Sequence, residues 1–219
     1  MTASSRSDIT MLGTGLSDRT AQLWRDYLER EARNDKRAWK VTLDAFLQEL
    51  TSQPLVQQQA WAENFCSVVL AHSQQPAFKL RHPLTLHLVK LLIPEAKSNN
   101  PRAVRWLGQL EHNHEVHALL VANGLPDSAL ELFELAIALD PEDLLSRDWY
   151  ISGRLQWLWH DYGHLTCSCC PHPDQDGVTK HLRGLLKHLA DLDRYRNDDK
   201  LPDLGASIDE LEALVRSHL

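Results

Sequence analysis

Apolar positions along this chain recur with the period of a helix from about residue 17 to its last residue. Leu23, Trp24, Tyr27 and Leu28 follow Ser17-Asp18 at spacings of three and four, which makes Ser17 the expected N-cap of a first helix. Asn34-Asp35 breaks the pattern. Asp35 is placed to cap a second helix with the stripe Trp39, Leu43, Phe46, Leu47 and Leu50. Pro54 suits the first turn of a third, whose apolar face is Leu55, Trp61, Phe65, Val68 and Val69 and which Ser73 to Pro76 ends. Pro83 opens a fourth run, from Leu84 to Leu92. Pro94 is expected to kink or terminate it, because proline has no N–H and its ring crowds the preceding turn.

The stretch Lys97 to Pro101 has loop composition. Beyond it come a helix with Val104, Trp106, Leu107 and Leu110, and another through Val116, Leu119 and Leu120. Gly124 to Pro126 is a turn. Ala129 to Leu139 is apolar except for Glu131 and Glu134, which share one narrow face, so this helix is expected to be buried on most sides. Asp140-Pro141 ends it. Leu144 to about Tyr162 is the next helix, with Gly163 as a candidate stop; residues 166–177 form a loop, Val178 to about Tyr195 is amphipathic, and Ser207 begins the last helix. No segment alternates with period two. With only 9 Gly and 10 Pro in 219 residues, the turn chemistry of an all-β protein is also missing. The expected fold is all-α, built of antiparallel helix pairs. Residues 1–16 are expected to be a disordered lead-in and residues 17–219 one helical domain, with 97–101 as the best internal boundary.

Within that series, Val116 to Asp143 reads VHALLVANGLPDSALELFELAIALDPED. Gly124 stands at the inter-helix turn, Ala129 opens the second helix, Phe133 follows four residues on, Ala136 three after that, and Pro141 closes the unit. This spacing resembles the second two-thirds of a tetratricopeptide repeat, where alanines let two helices approach closely and the aromatic fills the gap they leave. The resemblance spans about 30 residues, and taking in the preceding helix it defines a unit over 111–143. Helix A departs from the pattern at Asn113 and His117, and the flanking helices do not repeat it at 34-residue spacing. Because one such unit cannot bury its own face, the resemblance implies that neighbouring helices complete a right-handed α-α superhelix. It also implies a partner-binding groove lined from about Glu111 to Val121, which carries His112, His114 and His117. Residues 112 and 114 would point about 200° apart on a helix, so these histidines do not converge as a metal triad.

Charge is unevenly spread. Residues 1–105 hold 14 Lys/Arg and 10 Asp/Glu, a net of +4; residues 106–219 hold 9 and 20, a net of −11. The acidic half disfavours nucleic acid and anionic membranes and suits a basic partner. Arg25, Arg30, Arg33, Lys36, Arg37 and Lys40 make the first half the only candidate for nucleic acid, without a recognition-helix pattern to support it. No run approaches the roughly 18 apolar residues of a membrane span, and the opening MTASSRSDITMLGTG has no apolar core of a secretory signal. Cys66, Cys167, Cys169 and Cys170 are not spaced as a disulfide framework and point to a reducing, cytoplasmic setting.

The sharpest chemical cluster is His160, His164, Cys167, Cys169, Cys170 and His172. His160 and His164 share a face if the helix lasts that far, and thiolates from the loop, Cys167 and Cys170, could complete a tetrahedral zinc site. The spacing matches no standard zinc motif, and the plainer reading is reduced thiols beside surface histidines. Trp149 and Trp157 are eight residues apart on one face expected to be core. Trp159 points elsewhere and is a candidate anchor for a partner. No phosphate-cradling glycine loop, nucleophile elbow or H-E-x-x-H motif is present, so no catalytic residue or cofactor is assigned. The sequence therefore favours an interaction or scaffold protein that binds another protein through partner-binding residues such as His112, His117 and Trp159. The alternatives are a zinc-binding protein or metalloenzyme using the 160–172 cluster, and an immunity-type or regulatory protein neutralising a basic partner.

Overall fold

The computed structural model describes residues 6–13, 15–71, 80–166, 175–196 and 200–219. Among them there are eleven helices and no strand, and the chain divides into two compact units, residues 1–140 and 141–219. The 97–101 loop lies inside the first unit. Among the described residues no helix is long and apolar enough to cross a membrane.

The first unit holds α1 (Arg6–Met11), α2 (Asp18–Ala32), α3 (Lys36–Thr51), α4 (Leu55–Val69), α5 (His82–Lys97), α6 (Pro101–Leu110), α7 (His114–Ala122) and α8 (Ala129–Leu139). Short polar side chains start these helices where the sequence places them. Ser17 Oγ accepts from the Thr20 N–H at 3.2 Å, and Asp35 Oδ1 from the Ala38 N–H at 3.0 Å. Asn34 and Asn99 take left-handed φ of 54° and 61°, which lets the chain reverse between α2 and α3 and between α5 and α6. The stripe residues meet in an aromatic cluster. Trp24 is fully buried, with Tyr27, Phe46, Trp61 and Phe65 all 5.1–5.9 Å from it, centroid to centroid.

Several local expectations change, and the last helix of the chain begins at Pro202 rather than Ser207, since proline suits a first helical turn. Residues read as a disordered lead-in form α1 and the turn after it, with Ile9 and Leu12 only 3% and 1% exposed. The Ile9 carbonyl accepts the Trp24 indole N–H at 2.9 Å, which gives a buried donor the partner it requires. Pro94 neither ends α5 nor stands at its last residue: the helix runs on to Lys97, because only one final turn follows and a single backbone bond is forgone. Gly163 does not stop the helix that carries it.

The helix expected to be buried on most sides finds its principal partner in α6. α8 packs along α6, while α7, which lies between them in sequence, rests on α5. Gly108 of α6 makes this approach possible: a Cβ there would stand 2.7 Å from Phe133 Cε1. Leu132, Phe133, Ala136 and Ile137 are buried, while Glu131 and Glu134 are exposed on the opposite face, as their spacing requires.

The second unit is a three-helix assembly of α9 (Leu144–Thr166), α10 (Gln175–Asp193) and α11 (Pro202–Ser217), in which each helix packs against the other two. Asp143 caps α9, accepting from the Leu145 N–H at 3.1 Å and the Ser146 hydroxyl at 2.7 Å. Leu155, Leu158, Leu182, Leu185, Leu189, Ile208, Leu211 and Val215 form the interior. Arg196 grips Asp209 through paired bonds of 2.7 and 2.9 Å, and this hydrogen bonding holds the Asp209 carboxyl below its ordinary range.

Candidate functional site

α9 is 23 residues long, and its apolar residues are not confined to one stripe. A helix of that kind packed against two neighbours leaves some large side chains outside. The one left out is Trp157, at 46% exposure. Trp159, the expected anchor, is half-buried and meets Tyr162 edge-on at 6.3 Å. The indole that reaches solvent is therefore on the face expected to be core.

Trp157 borders a groove of about 400 Å³ between α9 and α10, with Asp161 on the α9 side and Lys180, His181, Gly184 and His188 on the α10 side. Gly184 has helical backbone, and among the described residues no atom beyond the neighbouring backbone of its own helix lies within 4 Å of where its Cβ would be. Neither backbone conformation nor close packing therefore requires a glycine there, although glycine in a helix interior costs about 1 kcal/mol relative to alanine. What the missing side chain leaves is open space beside the indole.

The groove's charge follows from its pairings. Asp161 Oδ2 is 2.7 Å from His181 Nε2, so its one carboxylate is engaged within the site. The Arg154 guanidinium lies 5.5 Å from the Trp157 ring centroid, and its Nη2 is 3.3 Å from His188 Nδ1. Arginine can only donate, so His188 Nδ1 is the acceptor in this contact. Among the described residues no carboxylate pairs with Arg154 or Lys180. Among the described residues the groove is thus an aromatic platform bordered by the cations Lys180 and Arg154, neither of them in an ion pair, with Asp161 turned to His181, in a unit that carries 9 Lys/Arg against 14 Asp/Glu.

One turn further along α9, His160 and His164 come together as their spacing predicts, because the helix continues past Gly163 to Thr166. Their Nε2 atoms are 3.0 Å apart, the rings meet edge to face with centroids at 4.3 Å, and both side chains are exposed. Cys167, Cys169, Cys170 and His172 lie outside the described residues. Among the described residues, no group of three or more His, Cys, Asp or Glu side chains is placed to hold a metal ion.

The histidines of the first unit do not converge. His112 is exposed, His117 Nδ1 is 2.9 Å from the Asp127 carbonyl, and the His117 ring stacks beside His114 at 6.4 Å. His82 Nε2 pairs with Glu115 at 3.0 Å, joining the N-termini of α5 and α7. Val121 is the exposed apolar residue of this face.

The exposure of Trp157 was hidden in sequence, because periodicity ranks it with Trp149. The signal that could have found it is the pair of small residues Gly177 and Gly184 seven apart on α10, which opens the surface opposite. Comparison with protein-family models, curated proteins and solved structures gives no match.

Proposed function

We propose that this chain works by binding another protein, and that the groove between α9 and α10 is where a segment of the partner docks. The observation that carries this reading is Trp157, an exposed indole on an open, cation-lined groove. Tryptophan is the side chain most enriched among residues that dominate binding energy, and it contributes large area at little entropic cost. The charge of the groove selects the segment: an apolar or aromatic side chain for the indole face, followed by a carboxylate for Lys180 and Arg154.

The tetratricopeptide-like reading of 111–143 belongs to the same proposal. Buried Ala136 and the bedding of Phe133 on Gly108 are the close packing such a unit needs, but α8 makes it with α6 and not with α7, the helix across the Gly124 turn, so the unit over 111–143 is supported in its second helix alone. The acidic surface of the second half supports a further reading, in which a basic protein is neutralised. The two readings separate by sign, since the groove takes an acidic segment and the acidic surface a basic one.

Cross-linking from inside the groove tests the proposal. A photoreactive side chain at position 184 is expected to trap a partner through a segment rich in acidic and aromatic residues, and Trp157→Ala is expected to abolish the adduct. The same probe at exposed Val56 in the first unit should trap nothing in common. Equal adducts from both positions, or an adduct insensitive to Trp157→Ala, would remove the groove as the docking site. An adduct mapping to a lysine- and arginine-rich segment would favour the neutralisation reading.

A further inference from the structure

We propose that His160 and His164 form a two-imidazole site for a divalent transition ion of tetragonal preference, Cu(II) or Ni(II), on the exposed face of the last turns of α9. The inference is independent of the docking groove.

Spacing alone brings two imidazoles to one face; the structure adds that their Nε2 atoms come within hydrogen-bonding distance of each other. Their Nε2 atoms stand 3.0 Å apart at the end of a helix that runs unbroken to Thr166. With metal–nitrogen bonds of about 2.0–2.1 Å, that separation subtends an angle of about 94° at the metal. This is the right angle between neighbouring ligands in a tetragonal or octahedral ion. Nitrogen donors in tetragonal arrangement select Cu(II) or Ni(II), and the intrinsic order of affinities also puts Cu(II) above Zn(II).

Without metal, one Nε2–H donates to the other Nε2 across the same gap. Binding needs both Nε2 lone pairs, so the ring that donates in this contact gives up its Nε2 proton. By tying residues four apart, the ion also staples the final turns of α9.

The test uses the full chain without an affinity tag, carrying Cys167→Ser, Cys169→Ser and Cys170→Ser so that thiols neither reduce nor ligate copper. One equivalent of Cu(II) is expected to give a tetragonal electron paramagnetic resonance signal with coupling from two imidazole nitrogens. His160→Ala and His164→Ala should each remove one nitrogen and weaken binding by about tenfold or more, since losing a ligand costs at least what losing a ligand's hydrogen-bond partner does. Zn(II) at equal concentration should fail to displace the copper. Because both side chains are exposed, the variants should keep their helix content by circular dichroism. An unchanged signal and affinity in both variants, or ready displacement by Zn(II), would overturn the proposal. Ni(II) added to the chain with its natural cysteines gives a second reading. Binding without a sulfur-to-nickel charge-transfer band supports the imidazole pair, and an intense band assigns the ion to the thiols instead.

Discussion

The ring of Phe133 on α8 lies directly over Gly108 on α6, so close that a Cβ at position 108 would come within 2.7 Å of its Cε1. In an open helix, Gly→Ala stabilises by about 0.5–1 kcal/mol. At position 108 overpacking opposes that gain and costs about 1–3 kcal/mol. Gly108→Ala is therefore expected to destabilise the first unit in urea denaturation, while Gly184→Ala, with nothing beyond its own helix backbone within 4 Å among the described residues, should stabilise the second. Phe133→Leu, which withdraws the ring, should reduce the penalty of Gly108→Ala in a double-mutant cycle. Equal effects at the two glycines would refute the contact.

That contrast also marks what the sequence could and could not tell. Ser17 and Asp35 cap their helices as read, because a cap is decided within four residues. His160 and His164 meet because i, i+4 geometry needs only a continuous helix. The pairing of α6 with α8 joins segments with another helix between them, and local pattern carries no information about which neighbour a buried helix chooses. Trp157 was misplaced for a related reason. α9 is apolar on more than one face, and only the packing of α10 and α11 decides which face is left over. The cluster reading of Cys167 and Cys170 falls on residues outside those described.

α1 supplies a second test. A residue in a loose lead-in can be changed at a cost within about 0.5 kcal/mol, whereas truncating a buried leucine costs about 2–5 kcal/mol. Leu12, 1% exposed in the same core as Trp24, should behave as the latter. Leu12→Ala is expected to lower the denaturation midpoint of the first unit and to shift its tryptophan fluorescence. A midpoint unchanged from the natural chain would return these residues to the lead-in.

Cys66 sits in the centre of the first unit, fully buried on α4. Burial, with the nearby charge of Glu63 adding to it, pushes its thiol well above the ordinary range. Since the thiolate is the reactive form, Cys66 should be inert in the native state. In the chain carrying Cys167→Ser, Cys169→Ser and Cys170→Ser, a thiol reagent is expected to find no reactive group until denaturant is added, and then one. Immediate stoichiometric reaction at neutral pH would mean that the core around α4 opens far more readily than its packing implies.

His87 on α5 predicts a pH dependence. Among the described residues its buried Nε2 has no hydrogen-bond partner, and burial, assisted by the positive charge of Lys90, lowers its pKa below 6.5. The unfolded chain therefore takes up this proton first as pH falls. Above 6.5 both states are neutral at this position and His87 adds no slope. Between 6.5 and the depressed folded value the unfolded state binds more protons, so stability falls with decreasing pH, by at most about 1.4 kcal/mol per pH unit for one group. Below the folded value the loss levels off. His87→Gln keeps a polar side chain and removes the titration, so the difference between the two proteins isolates this one group from the other histidines. Denaturation of both between pH 7.5 and 5 should show the natural chain losing stability relative to His87→Gln as the pH drops through 6.5. Parallel curves would mean that His87 is protonated as readily in the folded chain as in the unfolded one, and that its ring is not desolvated.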